Sequence, residues 1–243
     1  MLKHGARVAS SNNDGWTPLN FAANKGHEEV VRELLKHGAS VENVCKNGWT
    51  PLNLAAYEGH VEVVRELLKH GARVESANND GWTPLNSAAN KGDVEVVREL
   101  LKHGASVENV FKNGWKPLNL AANEGHVDVV RELLKHDARV ESANNEVWTP
   151  FKSAANKGDL EVVRELLKHG ASVESANNGG WTPLNSAANK GHVEVVRELL
   201  KYGASVHSVS KNGYTPLKSA GKKGHVEVVR ELLKHGASLS SLS

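Results

Sequence analysis

Apolar residues in this chain fall into two alternating patterns. In Val61-Glu-Val-Val-Arg-Glu-Leu-Leu-Lys-His70 they occupy 61, 63, 64, 67 and 68, leaving Glu62, Arg65, Glu66 and Lys69 for water. A wide stripe at this spacing predicts an amphipathic helix. Ahead of it, Leu52, Ala55 and Ala56 give a smaller apolar face to a segment that opens with Thr50-Pro51 and closes at Gly59. A capping hydroxyl before a proline at the first helical position, where the missing N–H costs nothing, predicts a second, shorter helix. Glycine then stops it. From Ala72-Arg-Val74 to Asn79-Asp80-Gly81 the chain reads as an extended leg and a tight turn, with glycine supplying a positive φ.

This alternation returns every 33 residues, with Trp16, Trp49, Trp82, Trp115, Trp148, Trp181 and Tyr214 marking one slot seven times without insertion or deletion. A fixed period in this range is the signature of a solenoid in which each unit contacts only its neighbours. The units run 6–38, 39–71, 72–104, 105–137, 138–170, 171–203 and 204–236, forming one array over 1–243. Residues 1–5 repeat the last turn of the helix that ends each unit, as the remnant of a preceding repeat would, and 237–243 form a tail.

Gly48-Trp-Thr-Pro-Leu-Asn-Leu-Ala-Ala56, followed by Glu58-Gly-His-Val-Glu-Val-Val-Arg-Glu-Leu-Leu-Lys-His-Gly-Ala72, resembles the ankyrin repeat over essentially the whole chain. The resemblance implies an all-α solenoid of stacked helix-turn-helix units with short β-turn fingers and a concave inner side. It departs from the family at the residue after Thr-Pro-Leu, where His gives way to Asn at 20, 53, 86, 119 and 185 and to Lys at 152 and 218. In the family that His helps lock adjacent repeats by hydrogen bonds. Asn can do part of this and Lys less, so the fifth and seventh units are expected to be looser.

Other departures cluster between 116 and 152. Lys116 replaces the capping Thr, Asp137 the helix-ending Gly, Glu146-Val147 the turn's Asp-Gly, and Phe151 the usual Leu, with Lys152 following. Val147 matters most, because a β-branched residue resists φ > 0 and is expected to force a different turn. At the far end Val226, Val228, Val229, Leu232 and Leu233 are retained with nothing after them long enough to cover the face. Open solenoid ends expose apolar surface, so end-to-end self-association, visible by light scattering, is expected.

Net charge is +2, with 30 basic and 28 acidic side chains interleaved, so neither nucleic acid nor a membrane surface is indicated by bulk charge. A single cysteine, Cys45, expected on an exposed finger, fits a reducing cytoplasmic setting better than secretion. No apolar run approaches the roughly 18–20 residues of a membrane span, and no signal peptide opens the chain. Twelve of the 13 histidines recur at the two ends of the second helix. Spacing of one repeat, roughly 8–10 Å for packed helices, is too far for shared metal coordination. They read as cap and dipole-compensating residues. Phosphate-cradling glycine loops, a nucleophile elbow and a plausible Cys-His pair are all absent. Neither an enzyme nor a cofactor or metal site is expected.

What remains is recognition. In ankyrin arrays the residue before Thr-Pro-Leu lies on the concave side, where this chain places large aromatics, the residue types that dominate contact hot spots. The competing reading is that each indole packs on its own or the next finger and stiffens the array. Partner choice is then expected from positions that vary: Phe21, Leu54, Ser87, Leu120, Ser153, Ser186 and Ser219; Asn24, Tyr57, Asn90, Asn123, Asn156, Asn189 and Lys222; and, on the fingers, Asn12, Cys45, Asn78, Phe111, Asn144, Asn177 and Ser210. Candidate partner-binding residues are Trp49, Tyr57, Trp82, Phe111, Trp115 and Trp148. The expected function is non-catalytic docking of a protein or peptide on the inner face and finger tips. The alternatives are a spacer or self-assembling scaffold, and an interaction module cut from a larger protein.

Overall fold

The computed structural model describes residues 8–238. The expected remnant at 1–5 and the last residues of the tail lie outside this range. Its backbone falls into two compact units. The first runs through Lys112 and includes Lys135–Ala138; the second comprises Asn113–Leu134 and the chain from Arg139 onward.

In the first unit, short inner helices α1 (Pro18–Lys25), α3 (Pro51–Glu58) and α5 (Pro84–Lys91) alternate with outer helices α2 (Glu28–Lys36), α4 (Val61–Lys69) and α6 (Val94–Lys102). Inner packs on inner, outer on outer, and the two members of each pair pack together. The second unit repeats this with inner helices α7 (Pro117–Glu124), α9 (Pro150–Lys157), α11 (Pro183–Lys190) and α13 (Pro216–Lys223). Its outer helices are α8 (Val127–Lys135), α10 (Leu160–Lys168), α12 (Val193–Lys201) and α14 (Val226–Lys234).

Local chemistry sets each boundary. The Thr50 hydroxyl accepts the Asn53 N–H while the Asn53 carboxamide oxygen accepts the Thr50 N–H, a reciprocal cap that starts α3 at Pro51. Gly59, at φ 80°, ends it in the left-handed region. At Lys116 the hydroxyl is missing, and only the Asn119 half of the cap survives, accepting the Lys116 N–H at 3.2 Å. The apolar stripe of the outer helices is buried as expected, with Val64, Leu67, Val97, Leu100, Val163 and Leu166 fully enclosed.

One polar position of that stripe is not left to water. Glu99, Glu165 and Glu198, at the register of Glu66, are buried and receive Arg65, Arg131 and Arg164 from the preceding repeat at 3.1–3.3 Å. Burial pushes the Glu99 and Glu165 carboxyls up. The arginine hydrogen bonds and nearby lysine and histidine charges outweigh it and hold both below the ordinary glutamate range.

The fingers interlock by backbone bonds across one repeat: Lys46 N–H to Asp14 O, Asn79 N–H to Asn47 O, Asn145 N–H to Asn113 O, and Lys211 N–H to Gly179 O, at 2.8–3.0 Å. Val147 does not force a different turn. It adopts φ 59° and keeps the bond of its N–H to Asn144 O at 3.0 Å that Gly48 makes to Cys45 O. A β-branched residue in this region is strained by about 1–2 kcal/mol. Val147→Gly, which relieves the strain but frees the unfolded chain, is expected to raise stability by about 1 kcal/mol, read from the urea midpoint.

Candidate recognition surface

The aromatic row is real, and most of it is engaged within the protein. In the first unit Trp16, Trp49 and Trp82 are each half-buried, and each meets another ring. Trp16 lies 4.9 Å from Phe21, Trp49 meets Tyr57 edge-on at 5.3 Å, and Trp82 lies 4.2 Å from Phe111. Such pairs hold each other in fixed poses while leaving an edge of each indole to solvent. Lys91, one repeat further on, sets its ammonium 4.1 Å above the Tyr57 ring. Of the candidates, the structure brings Trp49 together with Tyr57 and Trp82 with Phe111.

In the second unit Trp115 is half-buried at the base of its finger, and Trp148 and Trp181 flank a cleft of about 240 Å³. Asn156, Asn177, Ser186 and Asn189 complete its lining. Trp181 and Tyr214 of the next repeat stack at 6.3 Å and 25°. Lys222 donates to the Tyr214 hydroxyl at 2.7 Å, and this bond and the lysine's charge hold that phenol below its usual range. Trp181, Lys91 and Lys222 complete the surface. The sequence already placed Trp181 and Lys222 on the inner side, whereas Lys91, at the slot of Lys25 and Glu58, is revealed only by its contact with the Tyr57 ring.

Several varying positions are not surface at all. Leu54, Ser87, Leu120, Ser153, Ser186 and Ser219 are buried, whereas Phe21 alone of that series is exposed. On the fingers, Asn12, Asn78, Asn144 and Asn177 turn their carboxamide oxygens back onto their own backbone, accepting N–H groups two and four residues ahead at 2.9–3.0 Å. They hold the turn. Cys45 shares this slot and is 5% exposed, not on the surface as expected, because the side chain at this register tucks beneath the turn.

The asparagines after Thr-Pro-Leu act as the inter-repeat lock. Asn53 donates its carboxamide N–H groups to Ser76 O at 2.8 Å and Trp82 O at 3.2 Å. Asn119 likewise reaches Ser142 O and Trp148 O. The lysines turn back instead: Lys152 donates to Val147 O and Lys218 to Gly213 O, both within their own repeat. Burial holds the Lys152 ammonium below the usual lysine range, with Glu141 opposing. The expected loosening thus has a structural basis at 152, whereas the carbonyls a lock at 218 would reach lie outside the described residues. Asn86, which looked like an ordinary lock, is fully enclosed with neither carboxamide atom bonded.

Most of the described histidines are occupied locally. Of those starting outer helices, His60, His192 and His225 reach back across a repeat, to Asn24 O, Asn156 O and Asn189 O at 3.0–3.1 Å. Those ending them bond the carbonyl four residues earlier, as His70 does to Glu66 O. Among the described residues no group of three His, Cys, Asp or Glu side chains is placed to hold a metal ion, and no helix is long and apolar enough to cross a membrane.

Comparison with known proteins agrees with this architecture. A family model described as ankyrin repeats (3 copies) matches residues 1–78, 73–144, 107–177 and 151–242. The crystal structure of the human ASB11 ankyrin repeat domain superposes with a TM-score of 0.85 at 29% sequence identity, covering 92% of this chain and 99% of that one. No curated protein matches in sequence.

Proposed function

The chain belongs to the ankyrin-repeat family, whose repeats are generally protein-interaction modules, and from that premise we propose that it is a non-catalytic recognition module. It docks a protein or peptide on its inner helices and finger tips. The observation that carries this reading is the contrast between faces. Outer helices spend their charged side chains on an internal arginine–glutamate ladder. The inner side presents rigid, half-exposed aromatics held by neighbouring rings, and a cleft between Trp148 and Trp181. Rigid aromatic anchors bind with little ordering cost.

The test is capture from a cell lysate with the wild-type chain, with Trp82→Ala/Phe111→Ala, and with Trp148→Ala/Trp181→Ala, folding being checked by circular dichroism. A partner retained by the first and lost by either folded variant supports the reading. One retained equally by all three contradicts it. A second reading, self-assembly, is favoured by α14, where Val226 and Leu233 are 58% and 47% exposed while Leu200, the α12 counterpart of Leu233, is 8%. Oligomers that grow with concentration, without any captured partner, would support that alternative.

A further inference from the structure

The last residue of each inner helix carries a charge, and its sign is not random along the second unit. Glu124 ends α7, but Lys157, Lys190 and Lys223 end α9, α11 and α13, with Lys222 beside the last. Lys157, Lys190 and Lys223 are exposed and pair with no carboxylate among the described residues. The first unit, by contrast, alternates Lys25, Glu58 and Lys91 at this register. The nearest acid in sequence, Asp159, is already committed to capping α10 through the Val162 N–H at 3.0 Å. A row of like charges without an interleaved acid repels itself and favours an anionic occupant.

These lysines share a face with the aromatic row. At their register, Lys91 reaches the Tyr57 ring of the preceding repeat, and Lys222 spans from the end of α13 back to the Tyr214 hydroxyl. Asn156 and Asn189, the residues immediately before Lys157 and Lys190, line the Trp148–Trp181 cleft. The backbone carbonyls of both asparagines accept histidine N–H groups, but their carboxamides bond to nothing among the described residues. A free carboxamide offers both a donor and an acceptor, which is what an extended peptide main chain requires.

We propose that repeats five to seven bind an extended acidic segment of a partner protein, a specification that rests on the recognition reading above. An apolar side chain enters the cleft between the two indoles, the main chain bonds Asn156 and Asn189, and carboxylates lie over Lys157, Lys190 and the Lys222–Lys223 pair. Geometry sets the spacing. Neighbouring helices pack about 8–10 Å apart, and a segment in the extended polyproline-II form advances about 3.1 Å per residue and returns to the same face every third residue. Successive carboxylates therefore stand three residues apart, at i, i+3 and i+6.

Panning a phage library of random 12-residue peptides against the full chain tests this. The expected result is enrichment of peptides with Asp or Glu at every third position around one large apolar residue. Lys157→Gln/Lys190→Gln/Lys223→Gln should weaken their binding about tenfold, since exposed charge pairs each contribute little. Strong salt should weaken it similarly, and Lys168→Gln/Lys201→Gln/Lys234→Gln, at the exposed ends of the outer helices of the same repeats, should leave it unchanged. Enriched peptides without the acidic spacing, or indifferent to the lysines, would overturn the proposal while leaving recognition intact. So would a single-stranded oligonucleotide or a phosphatidylserine vesicle held by these lysines more tightly than any enriched peptide. Failure to enrich any peptide on folded protein overturns it as well, and only the absence of a captured partner in addition counts against the recognition reading.

Discussion

Phe151→Ala lowers stability by about 3–5 kcal/mol, the cost of emptying a fully enclosed aromatic site, read as a fall in the urea midpoint. Phe151 stands in α9 at the register where Leu52, Leu85 and Leu184 are likewise fully buried, and it has no exposed surface. The larger ring fills space that leucine fills elsewhere, so Phe151→Leu leaves a small void and costs much less, about 1 kcal/mol. Because repeat stability is a sum of unit and interface terms, hydrogen exchange should show the loss centred on α9 and its neighbours α10 and α11. A uniform loss throughout the chain, or a Phe151→Ala effect below about 1 kcal/mol, would contradict the packing described.

Asn53→Leu is expected to cost about 3 kcal/mol, whereas the same change at Asn86 is expected to be neutral or stabilising. The two asparagines occupy one register and are equally buried. Asn53 accepts from the Thr50 N–H and hydroxyl and donates to Ser76 O and Trp82 O. Removing it leaves several enclosed groups without partners, each costing about 1–3 kcal/mol less whatever water recovers. Asn86 bears that desolvation cost already, since neither atom of its carboxamide is bonded. An apolar side chain of similar size there removes a penalty rather than a bond. Equal losses at both positions, measured by urea denaturation, would show that Asn86 is locked like its sisters.

Much of this was legible in the sequence, for physical reasons visible in single residues. Thr50-Pro51 sets a helix start and Gly59 a stop, and the stripe Val61, Val63, Val64, Leu67, Leu68 buries the same side of every outer helix. Short-range rules suffice because each repeat is built from local elements. The site was legible only in outline. Trp82 and Phe111 do meet, and so do Trp49 and Tyr57. Whether a varying position faces solvent depends on the neighbouring repeat, which no single unit contains. Ser87 is buried for that reason, and Glu99 is claimed by Arg65 from 34 residues away. Lys152 shows the same limit: a lysine in a lock register is expected to be loose, yet its ammonium turns inward onto the carbonyl of strained Val147, coupling two departures that looked independent.

The central claim is that partners dock on the inner helices and fingers. Amide hydrogen exchange of the chain, free and bound to a partner recovered by capture, tests it most directly. New protection is expected on the fingers and inner helices around Trp82 and Phe111 or around Trp148 and Trp181, with the outer helices unchanged. Protection confined to the outer helices, along the Arg65–Glu99 and Arg131–Glu165 ladder, would contradict it.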